Sequence, residues 1–213
     1  MRILQIDLNK DYSDVIHEAV KVLSYGGVIV FPTDTIYGIG ANALNEIAVR
    51  KVYRIKQRSF SKPLPIIARN MSWAKELAYI HPRNEEILKK LWADGKATAV
   101  LPKKEIIPDQ VTAGTKTIGI RIPSYTFLDQ LMAKFGYPLT STSANISGKE
   151  GTSDIHKVIN YFEKSEIKPD LIIDAGILPK ASPSTVVDLT TDKPKLLRVG
   201  PSSPAQLMKL LEL

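Results

Sequence analysis

The chain has 213 residues, 44% of them hydrophobic, with no cysteine and a formal net charge of +7. The length suits one α/β domain with a full sheet and its covering helices. Disulfides and thiolate chemistry are excluded, no run of about 18 apolar residues could span a membrane, and the first residues lack a secretory pattern, so a cytoplasmic location is expected. The positive charge favours anionic partners such as nucleotides or RNA without choosing among them.

Ile3 to Ile6 is a short apolar run that predicts a strand. Ser13 is placed to cap a helix whose apolar residues Val15, Ile16, Ala19, Val20 and Leu23 recur at helical spacing. Gly26-Gly27 ends it, VIVF at 28–31 predicts a buried strand, and Asn45 caps a second helix through Ile55. LPIIA at 64–68 predicts a strand, and two helices follow near 71–79 and 83–92. ATAVLP at 97–102 and TIGIRIP at 117–123 predict strands, and a helix near 125–135 precedes a strand entering TSTSAN. Ser153-Asp154 starts a helix over 154–163, and DLIIDAG, STVVDLT and KLLRVG are three further strands. Ser203, Pro204 and Gln206 form a helix-start signature. The least ordered stretches by pattern are 102–116 and 175–184. The expected architecture is α/β: a single domain, 1–213, with a twisted mixed sheet and flanking helices. The alternation is too irregular for a doubly wound sheet or a barrel.

Several familiar sites are absent. No G-x-x-x-x-G-K-[ST] phosphate loop and no G-x-S-x-G elbow occur. His17, His81 and His156 have no metal-ligand partner at helical spacing. What remains is polar clusters at the ends of strands and helices. Thr33, Asp34 and Thr35 follow a buried strand; Lys56, Arg58 and Lys62 lie between a helix and a strand. Arg121 interrupts an apolar strand; Ser141, Ser143 and Asn145 belong to a hydroxyl-rich run; Ser184, Thr185 and Arg198 flank strands. Each also has a plain structural use: a turn with side-chain caps, a solvated helix end, an edge-strand charge. Together, several cations and a row of hydroxyls are what a polyphosphate site needs, because Arg forks hold phosphate oxygens and Lys neutralises charge.

With these residues assembled, the sequence resembles the YrdC family, whose active members are L-threonylcarbamoyladenylate synthases. The resemblance covers about residues 12–200 and rests most on Lys-x-Arg (Lys56, Arg58) and Ser-x-Asn (Ser143, Asn145). GGVIVFPTDTIYGIGAN, TIGIRIP, TSANISG and STVVDLT…LLRVG also match in order. It implies a twisted α/β fold with a basic concave cavity. It implies a reaction in which ATP, L-threonine and bicarbonate (or CO₂) give threonylcarbamoyl-AMP and pyrophosphate. Mg²⁺ accompanies ATP, and a threonylcarbamoyl-transfer complex then modifies the tRNA adenosine beside the anticodon. Direct contact with tRNA or double-stranded RNA is a further expectation.

By the same resemblance, Lys56, Arg58, Ser143 and Asn145 are the catalytic residues. Arg58, Lys62, Thr117, Ser143, Gly151 and Arg198 are expected at ATP, and Thr35, Arg121, Ser141 and Ser184 at threonine. The chemistry asks for positioning and charge stabilisation rather than a side-chain nucleophile. The sequence departs from the family pattern at Ser59, at WADGKAT, at Ile67 where some relatives have His, and at Gly151 where they have Ser. Three other readings compete. A YciO-like paralogue would tend to lack the counterparts of Lys56 and Asn145. An RNA-binding module would use the basic face alone. A carbamoyl-transfer role would call for zinc-finger and acylphosphatase segments that do not occur here.

Overall fold

A computed structural model describes residues 1–179 and 181–200. The chain opens with β1 (Arg2–Gln5), α1 (Ser13–Ser24), β2 (Ile29–Phe31), β3 (Gly38–Gly40) and α2 (Glu46–Lys56). Next come β4 (Ile66–Ile67), α3 (Met71–Leu77), α4 (Pro82–Trp92), β5 (Ala97–Pro102) and α5 (Asp109–Thr112). Then follow β6 (Thr117–Arg121), α6 (Thr126–Phe135), β7 (Leu139–Thr140), β8 (Thr142–Ser143) and α7 (Ile155–Glu163). Strands β9 (Leu171–Asp174), β10 (Thr185–Asp188) and β11 (Lys195–Arg198) close the described part. The helix start at Ser203 lies outside the described residues.

The α/β class stands, but the strands form two mixed sheets where the sequence suggested one. The first has the order β1-β9-β2-β3-β8, the second β11-β10-β5-β6-β4-β7. They meet at the hydroxyl-rich run. Leu139 and Thr140 pair with β4 in the second sheet; Thr142 and Ser143 pair with β3 in the first. The Thr140 N–H donates to the Ala41 carbonyl, and the Thr140 hydroxyl accepts from the Ala41 N–H. Gly40 permits this approach: a Cβ there would lie 1.7 Å from the Thr140 carbonyl oxygen. The hydroxyls therefore belong to the short crossing between sheets.

Side-chain alternation assigns the faces. Ile29 and Phe31 of β2 and Leu171 and Ile173 of β9 pack with α1 and α6 in one core. Val28, Val30 and Ile172 point the other way, into a larger core with α2 and α7. Burial on both faces is why these strands read as continuous apolar runs. The second sheet differs. Ile118 and Ile120 of β6 and Ala97, Ala99 and Leu101 of β5 enter the larger core. The alternate residues Thr117, Gly119, Arg121, Thr98 and Val100 face an open cleft.

Local differences have local causes. Ser13 is the first residue of α1 rather than its cap; among the described residues no side chain caps this helix, and the Ser13 N–H donates to Asp11 Oδ1. Asn45 and Asp154 cap α2 and α7 through side-chain oxygens on Ala48 and His156 N–H groups. Stretch 102–116 contains α5, which was not anticipated. Strand β3 was also missed, since two of its three residues are glycine and show no periodicity. Among the described residues, no helix is long and apolar enough to cross a membrane.

Candidate functional site

The cleft between the second sheet and the Thr33–Gly38 and Ser141–Ser143 segments has a volume of about 440 Å³. Nine residues predicted from sequence line it: Thr35, Arg58, Thr117, Arg121, Ser141, Ser143, Gly151, Ser184 and Arg198. Lys56, Lys62 and Asn145 do not. Lys62 is exposed, and its carbonyl accepts from Tyr53 Oη at 2.9 Å and Arg58 Nε at 3.2 Å. Ile67, one of the sequence's departures from the family pattern, is buried in the α1–α6 core.

The Lys-x-Arg pair is split by backbone geometry. Gln57 caps α2 in the left-handed region, φ 51°, a conformation that strains a residue bearing a Cβ. Lys56 before it is 2% exposed. Its Nζ donates to the Ser143 carbonyl at 2.5 Å, the Asn145 carbonyl at 2.8 Å and Asn145 Oδ1 at 3.1 Å. Burial, helped by the nearby Arg58 charge, pushes the Lys56 ammonium down to about 7. Asn145 Oδ1 also accepts from Ser143 Oγ at 2.5 Å, while its Nδ2 donates to the Ile146 and Lys149 carbonyls. Lys56 and Asn145 thus form a socket behind the cleft wall, and Ser143 is their front. Arg58, after the turn, is half-buried at the cleft, its Nη2 held at 3.0 Å by the Pro63 carbonyl. Burial lowers its pKa.

Two more guanidiniums close the far side. Arg121 is 9% exposed, and its Nη2 pairs with Asp34 Oδ1 at 2.6 Å. Arg198 donates from Nε to the Ser184 carbonyl at 2.8 Å and from Nη2 to Ser184 Oγ at 3.3 Å. Ser184 Oγ in turn meets Thr98 Oγ1 at 3.1 Å. Burial lowers the pKa of both arginines, and the Arg198 charge adds to the effect at Arg121. Cations held this close in a half-enclosed space favour an anionic ligand. Thr98 was not picked out from sequence, and Asp34 was picked out only within the Thr33-Asp34-Thr35 cluster, with no link to Arg121. A buried Arg in an apolar strand requires a counter-charge, and that requirement was the available signal for Asp34.

Fold and site define an α/β protein whose two sheets frame a cationic, hydroxyl-lined cleft. A family profile described as "Telomere recombination", Sua5_yciO_yrdC, matches residues 21–200, and the chain belongs to that family. It is similar to a Methanocaldococcus jannaschii protein, 40% identical over 91% of this chain and 90% of that one. It is 37% identical to the Pyrococcus abyssi threonylcarbamoyl-AMP synthase over 85% of this chain, but spans only 53% of that relative. The crystal structure of P. abyssi Sua5 complexed with L-threonine superposes with a TM-score of 0.92 at 34% identity, covering 99% of this chain and 61% of that one. Escherichia coli YciO superposes with a TM-score of 0.84 at 28% identity, covering 99% and 98% of the two chains.

Proposed function

We propose that the protein is a threonylcarbamoyl-AMP synthase, a nucleotidyltransferase joining L-threonine, bicarbonate or CO₂, and ATP. One observation carries this reading. Arg58, Arg121 and Arg198 converge on one cleft with Thr35, Thr117, Ser141, Ser143 and Ser184, the residues that resemblance assigned to two ligands. The P. abyssi relative, whose structure holds L-threonine, supports the amino-acid half. The socket behind Ser143 favours a synthase over a YciO-like paralogue, because Lys56 and Asn145 are both present and joined.

The chemistry follows from the groups. The threonine amine takes up CO₂ to give a carbamate and releases a proton. A carbamate oxygen then attacks the α-phosphorus of ATP, the bond to the β-phosphate oxygen breaks, and pyrophosphate leaves. Arg121 offers the amino-acid carboxylate a planar fork. Arg58, Arg198 and the Thr117 and Ser143 hydroxyls hold phosphate oxygens and stabilise the charge that shifts between them. Lys56 and Asn145 keep Ser143 in place. Among the described residues, no carboxylate lines the cleft. Mg²⁺ therefore suits a place on the triphosphate, held by phosphate oxygens and water. The product would pass to a threonylcarbamoyl-transfer complex acting on tRNA, and the net charge of +7 would favour RNA contact. The test is mass spectrometry of the purified protein incubated with ATP, L-threonine, bicarbonate and Mg²⁺. Threonylcarbamoyl-AMP is the expected product, and AMP or ADP alone would refute the assignment.

A further inference from the structure

Arg121 has five N–H donors. Three are bound by the protein: Nε by the Gly95 carbonyl at 2.7 Å, Nη1 by Thr35 Oγ1 at 3.3 Å and Nη2 by Asp34 Oδ1 at 2.6 Å. Among the described residues, one N–H on each terminal nitrogen is left without a partner, on a residue that lines the cleft. Gly95 fits its part: φ is +70°, and a Cβ there would lie 2.0 Å from the Ser124 amide nitrogen. Asp34 itself does not line the cleft, and its Oδ2 is buried without a hydrogen-bond partner among the described residues. The carboxylate therefore faces the guanidinium and not the ligand space.

Two physical roles are open to such a carboxylate. It could compete with the substrate for the guanidinium, in which case removing it would tighten carboxylate binding. Or it could fix the plane and rotation of the guanidinium, in which case removing it would loosen that binding. Three anchors on three sides of one planar group favour the second. A competing carboxylate would need to share the cleft face of Arg121, and Asp34 is outside it. An ion pair with both side chains about one-tenth exposed (11% and 10%) is also costly to desolvate and yields little net stability. Resting on the reading that an amino-acid carboxylate sits on Arg121, we propose that Asp34 is the positioning residue for that guanidinium. With Gly95 and Thr35 it presents the two unclaimed N–H groups to the carboxylate, and it touches no substrate itself.

The test compares steady-state constants. In Asp34→Ala the KM for L-threonine should rise about 10- to 100-fold, the range expected when a hydrogen bond to a charged group is lost. The KM for ATP should stay within about twofold. Asp34→Asn keeps an acceptor near Nη2 and should recover part of the loss; it also serves if the Ala variant does not fold. A threonine KM that is unchanged, or that falls, overturns positioning. The Arg121 Nε–H resonance gives a readout free of turnover. Slow solvent exchange in the wild type and fast exchange in Asp34→Ala is the expected result, and equal exchange in both overturns the proposal whether or not threonine is the substrate. Wild-type protein with no threonine-dependent product, but with this exchange difference, would sink the synthase reading and leave the positioning of Arg121 standing.

Discussion

Two buried cations serve the same cleft and are held in opposite ways. Among the described residues, Lys56 Nζ bonds to neutral oxygens alone: two carbonyls and one amide oxygen. Arg121 has a carboxylate at 2.6 Å. An ammonium without a counter-charge leaves its field unopposed, and the oxygens that hold it belong to the segment that presents Ser143 to the cleft. A guanidinium with a carboxylate behind it is locally neutralised, and what it offers the cleft is geometry. The first arrangement suits a diffuse, multiply charged group such as a triphosphate. The second suits a planar carboxylate that must be oriented.

The sharpest break of the nucleotide side is Arg58→Ala. On the proposed reading it removes a preorganised donor to the phosphates, and turnover should fall about 10²- to 10³-fold. Stability should change by about 1 kcal/mol or less, since Arg58 is only half-buried and its bonds go to two carbonyls near the surface. Arg58→Lys should regain part of the rate, because charge returns without the fork. Wild-type turnover in Arg58→Ala would place the residue on the solvated surface.

Lys56 without a counter-charge should also mark the stability profile. Its folded-state pKa of about 7 lies below its ordinary 10.5. Between those values the unfolded chain binds the extra proton, so the contribution of this group to stability rises with pH from about 7 to about 10.5. Below pH 7 it is protonated in both states, and the cost of burying the charge is at its fullest. The slope should be about 1 kcal/mol per pH unit across the middle of that window. Denaturation of wild type and Lys56→Met at pH 6.5, 7.5, 8.5 and 9.5 isolates it, because other groups cancel in the difference. Parallel profiles would contradict the description of Lys56 as a buried, unpaired cation.

The smallest expected effect lies on the arginine side. Thr98→Val keeps shape and removes the hydroxyl that meets Ser184 Oγ at 3.1 Å. Ser184 is also anchored by Arg198, so the loss should be about 2- to 10-fold in kcat/KM. A loss as large as that of Arg58→Ala would mean that Thr98 itself contacts a ligand.

Much of this was readable from sequence, for physical reasons that also explain the gaps. The strands buried on both faces, β2 and β9, announce themselves as apolar runs. The caps at Asn45 and Asp154 depend on residues two or three positions away, so local reading finds them. The division into two sheets could not be read, because it turns on Ser141 alone between β7 and β8. At the site, residue types pointed to anion binding, but the side of the wall on which each residue stands did not follow. Lys56 and Arg58 are two positions apart, and the left-handed Gln57 between them separates socket from cleft. Asp34 and Arg121 are 87 positions apart, and only the fold brings them together.

In the proposed reaction one cleft brings nucleotide and amino acid together for a single joined step. Pyrophosphate release from ATP, measured with threonine or bicarbonate omitted in turn, tests it most directly. Release should require both co-substrates, and either omission should return it to background. Release at the same rate without one of them would contradict the account.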